Sequence, residues 1–139
     1  MGKLMKGVYI LVISLPKRSC IKIGSLGIID FKKGYYAYTG SAMGGLEQRV
    51  KRHLRKEKKL HWHIDYFLQK AEIFEVHANE TASKQDECKN AILLKQSGGV
   101  PVINFGASDC KCKSHLFYFN ARSAIMSNNA TNAITTSNR

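Results

Sequence analysis

The sequence predicts an α+β domain, a mixed and mostly antiparallel sheet flanked by helices that are expected to pack on one side of it. Three observations carry that expectation. A near-continuous β-branched and apolar run, Gly7 to Ser14, reads as a central strand covered on both faces. Short alternating or aromatic-rich segments with glycine turns follow it, up to Thr39. Helical periodicity begins only afterwards, at Leu46. With 139 residues the chain suffices for one hydrophobic core and is too short for two.

The elements follow in order. Pro16 and the polar residues after it end the first strand. Cys20-Ile-Lys-Ile23 alternates as a half-buried strand does, and Gly24 to Gly27 reads as a turn. Phe31 to Gly34 reads as a further turn before the strand Tyr35-Tyr-Ala-Tyr-Thr39, which Gly40 and Ser41 close. Leu46 to Arg55 forms a helix whose apolar stripe is Leu46, Val50 and Leu54. Arg49, His53 and Lys56 border that stripe, whereas Lys51, Arg55 and Lys58 point to water. A short helix begins near Trp62, with Ile64, Phe67 and Leu68 inward, and Ala71 to Val76 alternates as a strand. Thr81 to Gln96 reads as a third helix, capped by Thr81 or Ser83 and stopped by Gly98-Gly99, with Glu87, Ala91 and Leu94 on one face. Leu116 to Phe119 is a last short strand. Residues 1–120 form the domain, and 121–139, rich in Ser, Asn, Thr and Ala, form an expected disordered tail.

Charge narrows the function. Lys and Arg number 22 against 10 Asp and Glu, a formal net charge of +12. A compact domain so positive repels itself, and a polyanion is its natural partner. Nucleic acid comes first, because neutralising phosphates releases counterions. The longest apolar run, Gly7 to Ile13, is far shorter than the roughly 20 residues that span a bilayer, so no membrane is expected. No secretory pattern opens the chain, and the four cysteines read as reduced thiols of a cytoplasmic protein. No protein partner is legible.

Several polar residues could carry chemistry. Tyr9 lies early on the first strand, and Tyr38-Thr39-Gly40 ends a later one just before the basic helix. Arg49 and His53 stand one turn apart at the edge of that helix's stripe. Glu87 is placed in line with apolar neighbours, where an unpaired carboxylate is costly. Lys51, Arg52, Arg55 and Lys56 are candidates for gripping phosphates.

Taken together, Gly7-Val8-Tyr9, then Tyr38-Thr39-Gly40-Ser41, then Arg49-x-x-x-His53 and a helical Glu87 resemble the GIY-YIG nuclease superfamily. The stretches Gly34 to Ala42, His61 to Tyr66 and Phe105 to Leu116 are similar to its Uri-type endonuclease subfamily, and the resemblance covers residues 6–119. One departure is the long interval between Tyr9 and Tyr38. The Cys20 to Phe31 segment reads as an inserted hairpin, and Tyr36 is the alternative second tyrosine. The resemblance implies metal-dependent hydrolysis of a phosphodiester, with DNA favoured and a repair-like role. In that reading Tyr9 helps to deprotonate the attacking water, with Arg49 close enough to lower its pKa and to neutralise the phosphoryl oxygens. Glu87 holds one divalent cation, Mg²⁺ or Mn²⁺. Tyr38 positions the nucleophile, and His53 the phosphate or a water. The alternatives are a nucleic-acid-binding module without catalysis on the same scaffold, and an interaction protein whose basic face meets an acidic partner.

A second constellation is Cys110-x-Cys112-x-x-His115, with Cys88 available elsewhere. Zinc takes such ligands, but Cys-x-Cys is tighter than the usual gap. Ordinary strand or loop thiols are therefore the favoured reading and zinc the weaker one. His61, Trp62 and His63 read as a helix start, with no role assigned.

Overall fold

The computed structural model describes residues 5–106, 112, 114–125 and 134–135. Along the chain run β1 (Gly7–Leu15), β2 (Ser19–Lys22), β3 (Ile28–Phe31), β4 (Gly34–Ala42), α1 (Leu46–Leu54), α2 (His63–Phe67), β5 (Glu72–Glu80), α3 (Asp86–Gln96), β6 (Val100–Pro101), β7 (Leu116–Phe119) and β8 (Ile134–Thr135). The six-stranded sheet has the order β6-β7-β4-β1-β5-β8, and β2 with β3 forms a separate hairpin, as the inserted segment predicted. Every described pairing is antiparallel. No helix among the described residues is long and apolar enough to cross a membrane.

β1 is the centre of the sheet, and its continuous apolar sequence is explained by burial on both faces. Tyr9, Leu11, Ile13 and Leu15 join Tyr36, Tyr38, Leu46, Ile64 and Phe67 in the main core. Ile10 and Val12 face the other way, against Ala91 and Leu94 of α3 and Phe117 and Phe119 of β7. Helices thus cover both faces, α1 and α2 on one and α3 on the other, which corrects the one-sided packing expected above. A strand without a polar face leaves no side for water.

Three boundaries also move. β4 does not stop at Gly40 but pairs on to Ala42 opposite Gly7. The third helix begins at Asp86, not Thr81, because the sheet claims the preceding residues: β5 runs to Glu80 and the Thr81 N–H donates to the Lys6 carbonyl at 2.9 Å. Beyond Ala121, residues 122–124 form a 3-10 turn, Ile125 is buried in the second cluster, and Ile134–Thr135 pairs with β5. These described parts of the expected tail are therefore ordered.

The glycines of the two tripeptides are close-approach positions. A Cβ on Gly7 would stand 2.6 Å from the Asn79 carbonyl oxygen and 2.7 Å from Leu46 Cδ2. One on Gly40, directly opposite Tyr9, would meet the Tyr9 ring at 2.5 Å from Cζ. Gly7→Ala should therefore destabilise by about 2–3 kcal/mol, the scale of an overpacked core. The urea midpoint checks this, and an unchanged midpoint would refute the close approach.

Candidate functional site

The antiparallel register places Tyr9 opposite Gly40 and Leu11 opposite Tyr38, so both phenols lie on one face, one step apart. β7 accompanies β4 only as far as the Tyr38–Leu116 pair, with one further bond from the Thr39 N–H to the His115 carbonyl. Beyond that point a cleft of about 560 Å³ opens at the end of β4. Tyr9, Tyr38, Arg49, His53 and Glu87 all line it, with Ser41, His61, Trp62, His63, Lys84 and Gly106 among the other walls. Tyr36 is elsewhere: its hydroxyl donates to the Lys32 carbonyl at 2.7 Å beneath the hairpin. Tyr38 is the second cleft tyrosine.

Tyr9 is held by His53. The phenolic oxygen and His53 Nε2 are 2.7 Å apart, and both residues are 2% exposed. His53 Nδ1 is buried and has no hydrogen-bond partner among the described residues. One proton lies between the two groups: either Nε2–H donates to the phenolic oxygen, or the Tyr9 O–H donates to a bare Nε2. Burial, seconded by the Lys58 charge, pulls the His53 pKa down to about 3, so the ring is neutral. His53 is thus turned to Tyr9 at the cleft wall, whereas the phosphate or a water was the partner expected above. It also replaces Val50 and Leu54 as the buried residue of α1 beside Leu46, because Tyr9 gives it a partner.

Burial pushes the Tyr9 phenol well above its ordinary value; Arg49, by charge and hydrogen bond, pulls the other way without offsetting it. Tyr38 is raised likewise, by burial first and the neighbouring Tyr9 second. The expectation that Arg49 brings Tyr9 near neutrality is thus corrected. Desolvation wins, and both phenols keep their protons.

Glu87 stands on the first turn of α3 with its side chain 12% exposed. Ser41 Oγ donates to its Oε1 at 2.8 Å, and His115 Nδ1 lies 3.0 Å from its Oε2 without hydrogen-bond alignment. Thr39 Oγ1 donates to the Glu87 carbonyl at 3.3 Å. Thr39 and Ser41, two apart on β4, thus share the α3 face. A carboxylate offers about four lone-pair sites, so acceptor positions toward the cleft remain.

Arg49 donates to the Ser41 carbonyl at 2.9 Å and lies 4.5 Å over the Trp62 ring, where Arg52 also stacks at 4.4 Å. Arg52 itself is structural. Its fork donates to both oxygens of the fully buried Asp65 at 2.9 and 3.0 Å, because a buried carboxylate needs a charged partner. Burial alone would raise the Asp65 pKa, but Arg52 and the backbone N–H groups of Trp62 and His61 hold it below the ordinary range. Lys51 pairs with Glu47 and Lys56 with Glu72, both exposed, and Arg55 follows α1; none of Lys51, Arg52, Arg55 and Lys56 lines the cleft. Lys58, expected in water, is half-buried and donates to the carbonyls of Arg52 and His53, closing the helix end. Of the zinc candidates, Cys88, Cys112 and His115 come together, and Cys110 lies outside the described residues.

The family model described as "Domain of unknown function DUF123" matches residues 8–138. The chain belongs to the DUF123 family. No curated protein and no solved structure matches it.

In this DUF123 chain, sequence reasoning missed Ser41, Lys84 and the pairing of His115 with Glu87. Ser41 had a usable signal, its two-residue step from Thr39. His63 was left without a role; its Nδ1 accepts from the Gly106 N–H at 2.9 Å and so anchors the loop bordering the cleft. Trp62, also without a role, is the platform between two guanidinium groups.

Proposed function

We propose that the protein is a metal-dependent phosphodiesterase acting on nucleic acid, an endonuclease of the GIY-YIG type resembling the Uri subfamily, with DNA as its favoured substrate. The observation that carries this reading is the convergence of Tyr9, Tyr38, Arg49, His53 and Glu87 around one cleft in a chain of net charge +12. Two phenols, a guanidinium and a carboxylate suit a reaction in which negative charge builds on phosphoryl oxygens.

Arg49, fixed by the Ser41 carbonyl and the Trp62 face, keeps donors for the phosphoryl group. Tyr9, oriented by His53, offers its oxygen to the attacking water, and Tyr38 confines that water beside it. Glu87 fits a hard cation, since a single carboxylate with open acceptor positions is the Mg²⁺ or Mn²⁺ pattern, with water and phosphate completing the shell. Such a cation, when bound, supplies charge that stabilises the leaving oxygen. Trp62 holds the Arg49 guanidinium in place, and Lys84 adds charge to the cleft wall.

A second reading, a nucleic-acid-binding module without catalysis, draws on the fact that both Glu87 oxygens already face partners, Ser41 and His115. Incubation of labelled single-stranded, duplex and branched DNA and of RNA with Mg²⁺, Mn²⁺ or a chelator separates the two. Cut products that require the cation are expected. Salt-sensitive binding with no products in any arm would leave only the binding module.

A further inference from the structure

Behind Glu87, away from the cleft walls, a different donor set gathers. Cys88, the next residue of α3, meets Cys112 and His115 on the segment entering β7. One ligand atom from each lies within 4.8 Å of the other two. In a tetrahedral zinc site, with Zn–S of about 2.3 Å and Zn–N of about 2.0–2.1 Å, ligand atoms stand roughly 3.4–3.8 Å apart. Closing the triangle thus takes movements of about 1 Å, within side-chain reach.

We propose that Cys88, Cys112 and His115 bind one zinc ion, which ties α3 to the chain entering β7. Two thiolates and an imidazole select a borderline-soft metal, whereas the carboxylate of Glu87 suits a hard one. The two neighbouring donor sets would therefore sort their metals by chemistry. The His115 contact supports this. Its Nδ1 lies 3.0 Å from a Glu87 carboxylate oxygen, and a metal on Nε2 would leave that nitrogen to the carboxylate, as metal-bound histidines characteristically do. His115 is 1% exposed, so its ring is already held in one orientation. The Cys-x-Cys spacing argued against zinc because the sequence does not reveal that α3 delivers Cys88 to the same place. Zinc here would also fix the ring that faces Glu87, linking a structural centre to the cleft through one side chain.

Metal binding is read without nucleic acid, so it stands or falls apart from phosphodiester cleavage. The full chain, purified under reducing conditions without chelator, should carry about one zinc per molecule by elemental analysis. After metal removal, titration with Co²⁺ should give a thiolate-to-cobalt charge-transfer band and the visible bands of tetrahedral cobalt, saturating at about one equivalent. Cys88→Ser and Cys112→Ser should each weaken cobalt binding at least about tenfold, while Cys20→Ser, on the exposed β2, should leave it unchanged. The titration of the unaltered chain decides the matter even if a variant fails to fold. Zinc-free protein giving no thiolate band overturns the proposal, as does a band undiminished in Cys88→Ser, or a Cys88–Cys112 disulfide persisting where zinc is supplied with reductant.

Discussion

Glu87→Gln should lower metal-dependent cleavage by at least about 10³-fold while nucleic-acid affinity stays within about threefold of the unaltered chain. The substitution is nearly isosteric. The side-chain carbonyl of the introduced glutamine would still accept from Ser41 Oγ, so the β4–α3 contact that carries Thr39 and Ser41 is kept. What is lost is one negative charge, and with it the attraction for a hard cation. Affinity is spared because Arg49 and Lys84 are untouched. A gel assay of cleavage beside a binding titration at fixed salt reads both quantities. Undiminished cleavage would remove Glu87 from the role of metal ligand.

Acid should unfold the protein through His53. Its pKa is about 3 in the fold and about 6.5 when exposed in the unfolded chain, so between these values the unfolded state binds the extra proton. Stability from this group is complete above pH 6.5 and is lost as pH falls toward 3. At up to 1.36 kcal/mol per pH unit, lowering the pH from 7 to 4.5 should cost about 2.5 kcal/mol. Asp65, whose pKa is depressed below the ordinary carboxylate value, contributes its own loss only at lower pH. Urea midpoints at pH 7 and 4.5 for the unaltered chain and for His53→Gln test this, and glutamine keeps a donor for Tyr9. The variant should lose most of the difference between the two pH values, and an equal decline in both would refute the neutral buried imidazole.

The sequence made some of this legible, for physical reasons. β1 was readable because apolar residues at both parities of a strand leave no wet face. α1 and its Arg49–His53 pair were readable because a four-residue step on a helix fixes proximity. The start of α3 was not, since Thr81 is as good a cap as it is a strand end, and only the bond to Lys6 decides between them. The burial of His53 depended on Tyr9, which is 44 residues away. Arg52 was misread because its partner, Asp65, lies on another helix, and net charge alone does not separate a structural guanidinium from a free one. The contact of His115 with Glu87 joins two elements whose proximity no local pattern encodes.

The hairpin β2–β3 joins β1 and β4 where Leu15 faces Gly34, whereas the cleft lies toward the opposite end of the same ladder, where Tyr9 faces Gly40. Six strand residues, about 20 Å, separate them. Extra chain grafted at the far end lengthens the interval between the two tyrosines in sequence and leaves their spatial relation alone. Such a ladder works like a clasp hinged at one tip, and the connecting loop can grow or shrink over generations without disturbing the jaws. The distance that counts for Tyr9 and Tyr38 is measured across the strands, not along the chain.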